Sequence, residues 1–256
     1  MFAVVVLASG SWRQFDGATV APLVLSGLIG IFLGDSLLFT AVGRLGPRRA
    51  GVLFALNAPI AAVLGWLALG ETLSPAAVAG VALTAAGVAL AILYGRGNAG
   101  GHVWETVKGS LPLGVAAGLG AATGQAVGSL LVRPVMAAGF DPFAASLLRV
   151  VVAAAGLTVL ARLPVLGAMG LRPGGALTPR VAAVTALTAF LGLGVGMTLV
   201  LYGLAGGKVG IVSTLSATSP VLILPLLWLR TGQRPGAGAW AGALLVAASM
   251  ALIFLL

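Results

Sequence analysis

Charge is what this sequence has least of. Only 7% of its 256 residues are charged, five of them acidic, while 60% are hydrophobic; a soluble domain carries about 25% charged residues. With so little polar surface the chain needs a bilayer as its solvent, and its mean hydropathy of +1.15 agrees. Cysteine is absent, which excludes disulfides and thiolate metal sites. The one histidine, His102, lies in a polar stretch, so neither a His-pair metal site nor a Ser-His triad has its base. No Gly-x-Ser-x-Gly elbow or Walker-type loop occurs, and the five acids are far apart in sequence. An enzyme is therefore disfavoured, and no cofactor or metal is expected.

The net charge of +9 raises the question of nucleic acid. The basic residues stand scattered at the ends of apolar segments, which fits membrane topology better than a phosphate-binding face, so nucleic acid is not an expected partner.

What is present is a series of long apolar runs. Residues 50–70 are 21 uncharged residues, a helix of roughly 31 Å that matches the hydrocarbon core of a bilayer. By the same criterion spans are predicted at 20–42, 50–70, 75–94, 111–132, 143–161, 181–204, 209–229 and 236–256, with 1–9 too short to cross. The fold class is thus an all-α polytopic membrane protein with eight full transmembrane helices and an N-terminal partial helix. The longest polar stretch, 96–110, reads as a linker between a first copy at 1–95 and a second at 111–256.

The copies align on landmarks. Gly46 and Gly207, and likewise Pro59 and Pro220, stand 161 residues apart, which sets Asn57 opposite Thr218. Each basic turn follows a Gly-rich helix (Gly30 and Gly34; Gly192 and Gly196). Copies with an odd number of spans enter the membrane from opposite sides, an inverted-topology repeat with its binding site near the midplane between the copies. The first copy shows three spans and a stub against five in the second, so about one and a half helices are expected to be missing upstream of Met1. Ten Lys/Arg fall on one side of the predicted topology and three, or four with Arg149, on the other. The first side is predicted cytoplasmic, and the protein is expected as a multi-pass protein of the cytoplasmic (inner) membrane.

FTAVGRLGP (39–47), Ala58-Pro59, Leu69-Gly70-Glu71 and a helix through Gly80 and Gly87, followed by LYGLAGGKVG (201–210), Thr218-Ser219-Pro220 and Gly242, resemble the EamA-type transporters of the drug/metabolite transporter superfamily. The second copy departs by carrying Gly232-Gln233 where the family acid would stand. The resemblance implies a ten-helix fold of two five-helix repeats, here short at the N-terminus. It also implies export or exchange of small organic solutes such as amino acids and metabolites, often with proton coupling.

The residues that could line such a path follow from their cost in lipid. Asp35, inside the first span, is expected to face a wet cavity or be protonated, and is the candidate proton-coupling group; the alternative is a structural hydrogen bond. Gln125, Ser129 and Arg133, spaced i, i+4, i+8, form a polar stripe beside a glycine stripe (Gly120, Gly124, Gly128) suited to helix packing. Arg133 also reads as a snorkelling residue at the span end. Arg149, six residues into its span, is read first as snorkelling and second as meeting an anionic substrate. Pro59 and Pro220 each free a mid-span carbonyl, which Asn57 and Thr218 either satisfy or supplement with substrate contacts. Ser213, Thr214, Ser216 and Ser219 are ordinary in membrane helices, Thr198 and Tyr202 are a weak pair one turn apart, and Glu71 reads as a topological or capping acid. The expected partners are a small-molecule substrate, membrane lipid and protons as coupling ion, with a homodimer left open. A secondary transporter working by alternating access is the leading reading. The alternatives are a non-transporting partner subunit and a lipid-flippase component.

Overall fold

Within hydrocarbon a backbone amide has no water to bond, so a chain of this composition must satisfy its main chain inside helices. The computed structural model describes residues 2–94, 110–162, 178–218, 229 and 236–255, and every regular element among them is helical. In order these are α1 (Phe2–Ser9), a 3-10 turn (Ser11–Gln14), α2 (Gly17–Ser26), a first π segment (Gly27–Leu33), α3 (Gly34–Leu45), α4 (Pro47–Ala55) and α5 (Asn57–Leu69). Then come α6 (Pro75–Tyr94), α7 (Leu111–Ala137), α8 (Pro142–Ala161), α9 (Pro179–Ala189), a second π segment (Phe190–Gly196), α10 (Met197–Gly206), α11 (Val209–Ala217) and α12 (Ala237–Leu255).

Five helical stretches among the described residues are long and apolar enough to cross a membrane: Gly17–Leu45, Arg49–Leu69, Leu111–Ala137, Pro142–Leu160 and Pro179–Gly206. The stretches Pro75–Leu90 of α6 and Ala237–Ser249 of α12 are apolar as well. Large apolar side chains lie exposed along these helices, among them Val63, Trp66, Leu187, Leu191, Leu199 and Leu244, a surface that lipid solvates and water does not. The protein is an integral, multi-pass helical membrane protein. Of the predicted spans, 209–229 is described only to residue 218 and at 229, and residues 96–109 of the expected linker, 163–177 of the 162–180 loop, Ser219 and Pro220 lie outside the described residues.

The chain forms two compact units, Met1–Leu33 with Val127–Gly207, and Gly34–Ala126 with Lys208–Leu256. Each draws on sequence from both sides of residues 96–110. Compactness and sequence repetition are different properties, and the units do not coincide with the copies read from the landmarks.

In the first unit, α8 packs on the first π segment, α1, α2 and α10. Close approach is set by glycine: a Cβ on Gly27 would lie 2.9 Å from the Arg149 carbonyl oxygen, and one on Gly128 2.7 Å from Gly30 Cα. Asp16 caps α2 through a capping box with Thr19. The hydroxyl of Thr19 (2.7 Å) and then its amide (2.8 Å) donate to the carboxylate and hold its pKa below the usual range. Asp141 caps α8, accepting from the Phe143 amide at 2.7 Å, and also accepts from the Ser11 hydroxyl.

In the second unit, α6 packs along α12 and α5 against α11. At the α6–α12 seam a Cβ on Gly87 would stand 2.9 Å from the Gly242 carbonyl oxygen. Thr84 and Ser249, both fully buried, bond across it at 2.6 Å. Small residues let the backbones touch, the usual way helices associate where lipid removes any hydrophobic drive.

Candidate functional site

In the second unit two helices, α4 and α11, end at matching places. Pro59 has no N–H for the Ala55 carbonyl, and its ring pushes that carbonyl aside; α4 ends at Ala55 and α5 begins at Asn57. Asn57 Nδ2 donates to the Phe54 carbonyl at 2.7 Å. Exactly one such bond recurs 161 residues on, where Thr218 Oγ1 donates to the Leu215 carbonyl at 2.7 Å. Both side chains are buried. Each therefore serves a helix end, and Asn57 retains a carbonyl oxygen and a second N–H beyond that duty.

The first unit holds a polar cluster that sequence reading placed otherwise. Arg149 is not a snorkelling residue: it is 2% exposed, among the largest fully buried side chains of the protein. The close contact with Gly27 packs its stretch of α8 inward, and the guanidinium donates to Met197 Sδ at 3.1 Å. One turn back, Ser146 Oγ lies 3.2 Å from Thr198 Oγ1, and the Thr198 hydroxyl donates to the Gly194 carbonyl at 2.7 Å. A hydroxyl has one proton, so in the Ser146–Thr198 bond serine is the donor. Placing arginine at the centre of a membrane helix costs about 2.5–3.5 kcal/mol on insertion scales, so its burial calls for a role.

The remaining candidates are dispersed. Asp35, half-buried, opens α3 directly after the first π segment, and buried Ser36 and Thr40 follow it. On α7 Ser129 is buried while Gln125 and Arg133 are half-buried. Beside them Gly128 packs on Gly30, and a Cβ on Gly120 would meet Leu37 at 3.0 Å, as expected of a packing stripe. Thr198 and Tyr202 do not act as a pair: Thr198 is 8% exposed and Tyr202 72%. Pro59 instead lines a groove of about 420 Å³ with Ala62, Val63, Trp66, Glu71 and Thr72. Sequence reading also missed the two π segments, each seven residues long and glycine-bearing, which precede Asp35 and Thr198. Such i→i+5 stretches are rare and concentrate at functional sites; apolar periodicity does not reveal them.

The EamA-like transporter family model matches residues 1–93 and 112–255, nearly the whole chain. The chain belongs to the EamA-like transporter family. A crystal structure described only as "Crystal structure of protein" aligns over 99% of this chain and 92% of its own, with a TM-score of 0.70 and 17% identity, a likeness of fold. No curated protein matches the chain in sequence.

EamA-like membership makes this a membrane transporter of the drug/metabolite transporter superfamily, in keeping with the lack of catalytic constellations in its sequence. Among the described residues no three His, Cys, Asp or Glu gather into a metal-binding group. The acid at the end of the second predicted span, Glu71, has a defined task here. Glu71 Oε2 accepts the Val209 amide at 2.7 Å, capping α11, whose N-cap residue Lys208 makes no side-chain cap. Lys208 Nζ donates in return to the Thr72 carbonyl, so the 70–73 turn and the start of α11 are joined by two bonds. Carboxylate at a helix N-terminus is favoured by both the free amides and the helix dipole.

Proposed function

We propose that this EamA-like protein is a secondary transporter that moves a small organic solute, amino-acid-like or another metabolite, outward across the cytoplasmic membrane by alternating access. The observation that carries the reading is the matched pair of side-chain bonds at two helix ends 161 residues apart, Asn57 on the Phe54 carbonyl and Thr218 on the Leu215 carbonyl. Discontinuous helices at corresponding positions of two halves mark the binding sites of many transporters, where unwound backbone faces a cavity near the midplane. The two glycine-bearing π segments, at similar positions before the two basic turns, add a second correspondence. Both support an eight-span chain built from two inverted-topology repeats, with the copies at 1–95 and 111–256 and the substrate path between them. In this reading Asp35 faces the path, and the basic turns face the cytoplasm.

Asp35 is the proposed proton-coupling group: a carboxyl inside a span is costly when charged, so its protonation is readily linked to conformation. Counterflow of labelled metabolites in liposomes containing the purified protein is the test. Solute exchange above protein-free vesicles supports transport, movement of labelled lipid alone supports a flippase, and neither supports a partner subunit. Asp35→Asn is expected to keep exchange while abolishing its pH dependence, and an unchanged pH profile would remove the proton role.

A further inference from the structure

We propose that the groove between α5 and α6 binds one phospholipid of the leaflet opposite the basic turns, with an acyl chain in the groove and the headgroup phosphate at Lys208. This needs only the membrane embedding established above and is independent of what the protein transports.

The groove has the length of one leaflet. α5 lines it with Pro59, Ala62, Val63 and Trp66, spaced i, i+3, i+4, i+7 on one helical face. α6 contributes Val78, Val81 and Ala82, again i, i+3, i+4. From Pro59 to Leu69, where α5 ends, the helix rises about 15 Å, half of a hydrocarbon core of roughly 30 Å. The groove thus runs from near the middle of the predicted span 50–70 to its end. Val81 is buried at its floor, while Val63, Trp66 and Val78 are exposed, so it opens toward lipid. Its volume of about 420 Å³ is that of a site for one small apolar ligand.

The polar groups gather at one end. Glu71 and Thr72 line the groove beyond the last turn of α5. The Glu71 carboxylate accepts the Val209 amide at 2.7 Å, which directs its charge at the α11 N-terminus. Lys208 is exposed and donates one N–H to the Thr72 carbonyl. An ammonium carries three N–H groups, so further donors stand at this rim for a phosphate oxygen, in a charge-assisted bond. Trp66, three residues before the end of α5, sits where aromatic rings favour the headgroup level. Tail depth and headgroup cation therefore follow the order in which a phospholipid presents them. At the inner end, Pro59 is two residues from buried Asn57, so a seated chain packs against the interruption between α4 and α5.

The test is lipid retention and thermal stability of the purified protein in detergent. Native mass spectrometry is expected to find one phospholipid on the wild-type monomer after detergent exchange and none on Ala82→Trp, whose indole fills the groove. Leu244→Trp, at an exposed site on α12, is expected to keep it. After delipidation, dioleoylphosphatidylglycerol should raise the thermal midpoint of wild type, while dioleoylglycerol, with the same tails and no phosphate, should not. Lys208→Gln keeps a donor for Thr72 and removes the charge. Its apparent affinity for the phospholipid should fall about tenfold, the loss of one charged hydrogen bond. Because residue 208 is exposed, this variant decides the matter even where Ala82→Trp does not fold. Equal retention by wild type and folded Ala82→Trp, or equal affinity of wild type and Lys208→Gln, would overturn the proposal. So would stabilisation by dioleoylglycerol as large as by the phospholipid, or a wild-type dimer without lipid, which would give the groove to a second copy.

Discussion

Replacing Gly87 by valine would drive α6 away from α12. The first added carbon would sit 2.9 Å from the Gly242 carbonyl oxygen and 3.0 Å from both Leu245 Cβ and Val246 Cγ2. A backbone oxygen cannot rotate aside, so the helices must separate. Overpacking of this kind costs about 1–3 kcal/mol, and two further methyls place it at the upper end. The gain in helix propensity from Gly to Val returns only about 0.4 kcal/mol, leaving about 2–3 kcal/mol lost. Thr84→Val offers the comparison three residues away. Ser249 Oγ already donates to the Val246 carbonyl at 2.8 Å, so Thr84 is the donor in the 2.6 Å bond between them. Removing that donor leaves Ser249 still bonded, and interhelical bonds in membrane proteins average about 0.6 kcal/mol. Packing should therefore outweigh the hydrogen bond roughly fourfold. Reversible unfolding of the purified protein in mixed detergent micelles measures both. A Thr84→Val loss equal to or larger than that of Gly87→Val would refute the claim that close backbone contact holds this seam.

Glu71→Ala should destabilise by about 1–2 kcal/mol through loss of the α11 cap, with Glu71→Gln losing less because it keeps an acceptor. Gly65→Ala should resemble Glu71→Ala, since its Cβ would stand 2.8 Å from Glu71 Oε2 and displace the cap; unfolding in detergent checks all three. Asn57→Ala and Thr218→Val should cost similar amounts, about 1 kcal/mol each, because each deletes one bond to the carbonyl three residues back, and unequal losses would break the equivalence of the two helix ends. For Asp16 the folded pKa is depressed by Thr19, so its contribution is present above the ordinary carboxylate value of about 3.9 and is lost as pH falls through the lower folded value. Thermal midpoints below pH 4 should fall more steeply for wild type than for Asp16→Asn.

The helical class was legible because bilayer solvation leaves an unmistakable composition, and the interruption between α4 and α5 because proline acts locally at Pro59. Burial was less legible. Arg149 and Tyr202 lie on apolar segments where either outward or inward placement satisfies the pattern; for Arg149 the choice was made by a contact distant in sequence, Gly27, and Tyr202 is 72% exposed though Thr198, one turn before it, is buried. Glu71 could be read as a capping acid from its place at a segment end, but its partner Val209, 138 residues away, has no local signal. The π segments escaped because an i→i+5 register changes hydrogen bonding without changing composition.

Single-cysteine accessibility tests most directly the claim that water reaches the polar interior of these spans. The chain has no native cysteine, so Asn57→Cys, Thr198→Cys and the outward-facing control Leu199→Cys each introduce one thiol. Only a hydrated thiol ionises and reacts with a membrane-impermeant methanethiosulfonate. The account predicts modification at 57 and 198 in sealed vesicles and none at 199; cysteines at 57 and 198 as inert as the one at 199, in folded protein, would contradict it.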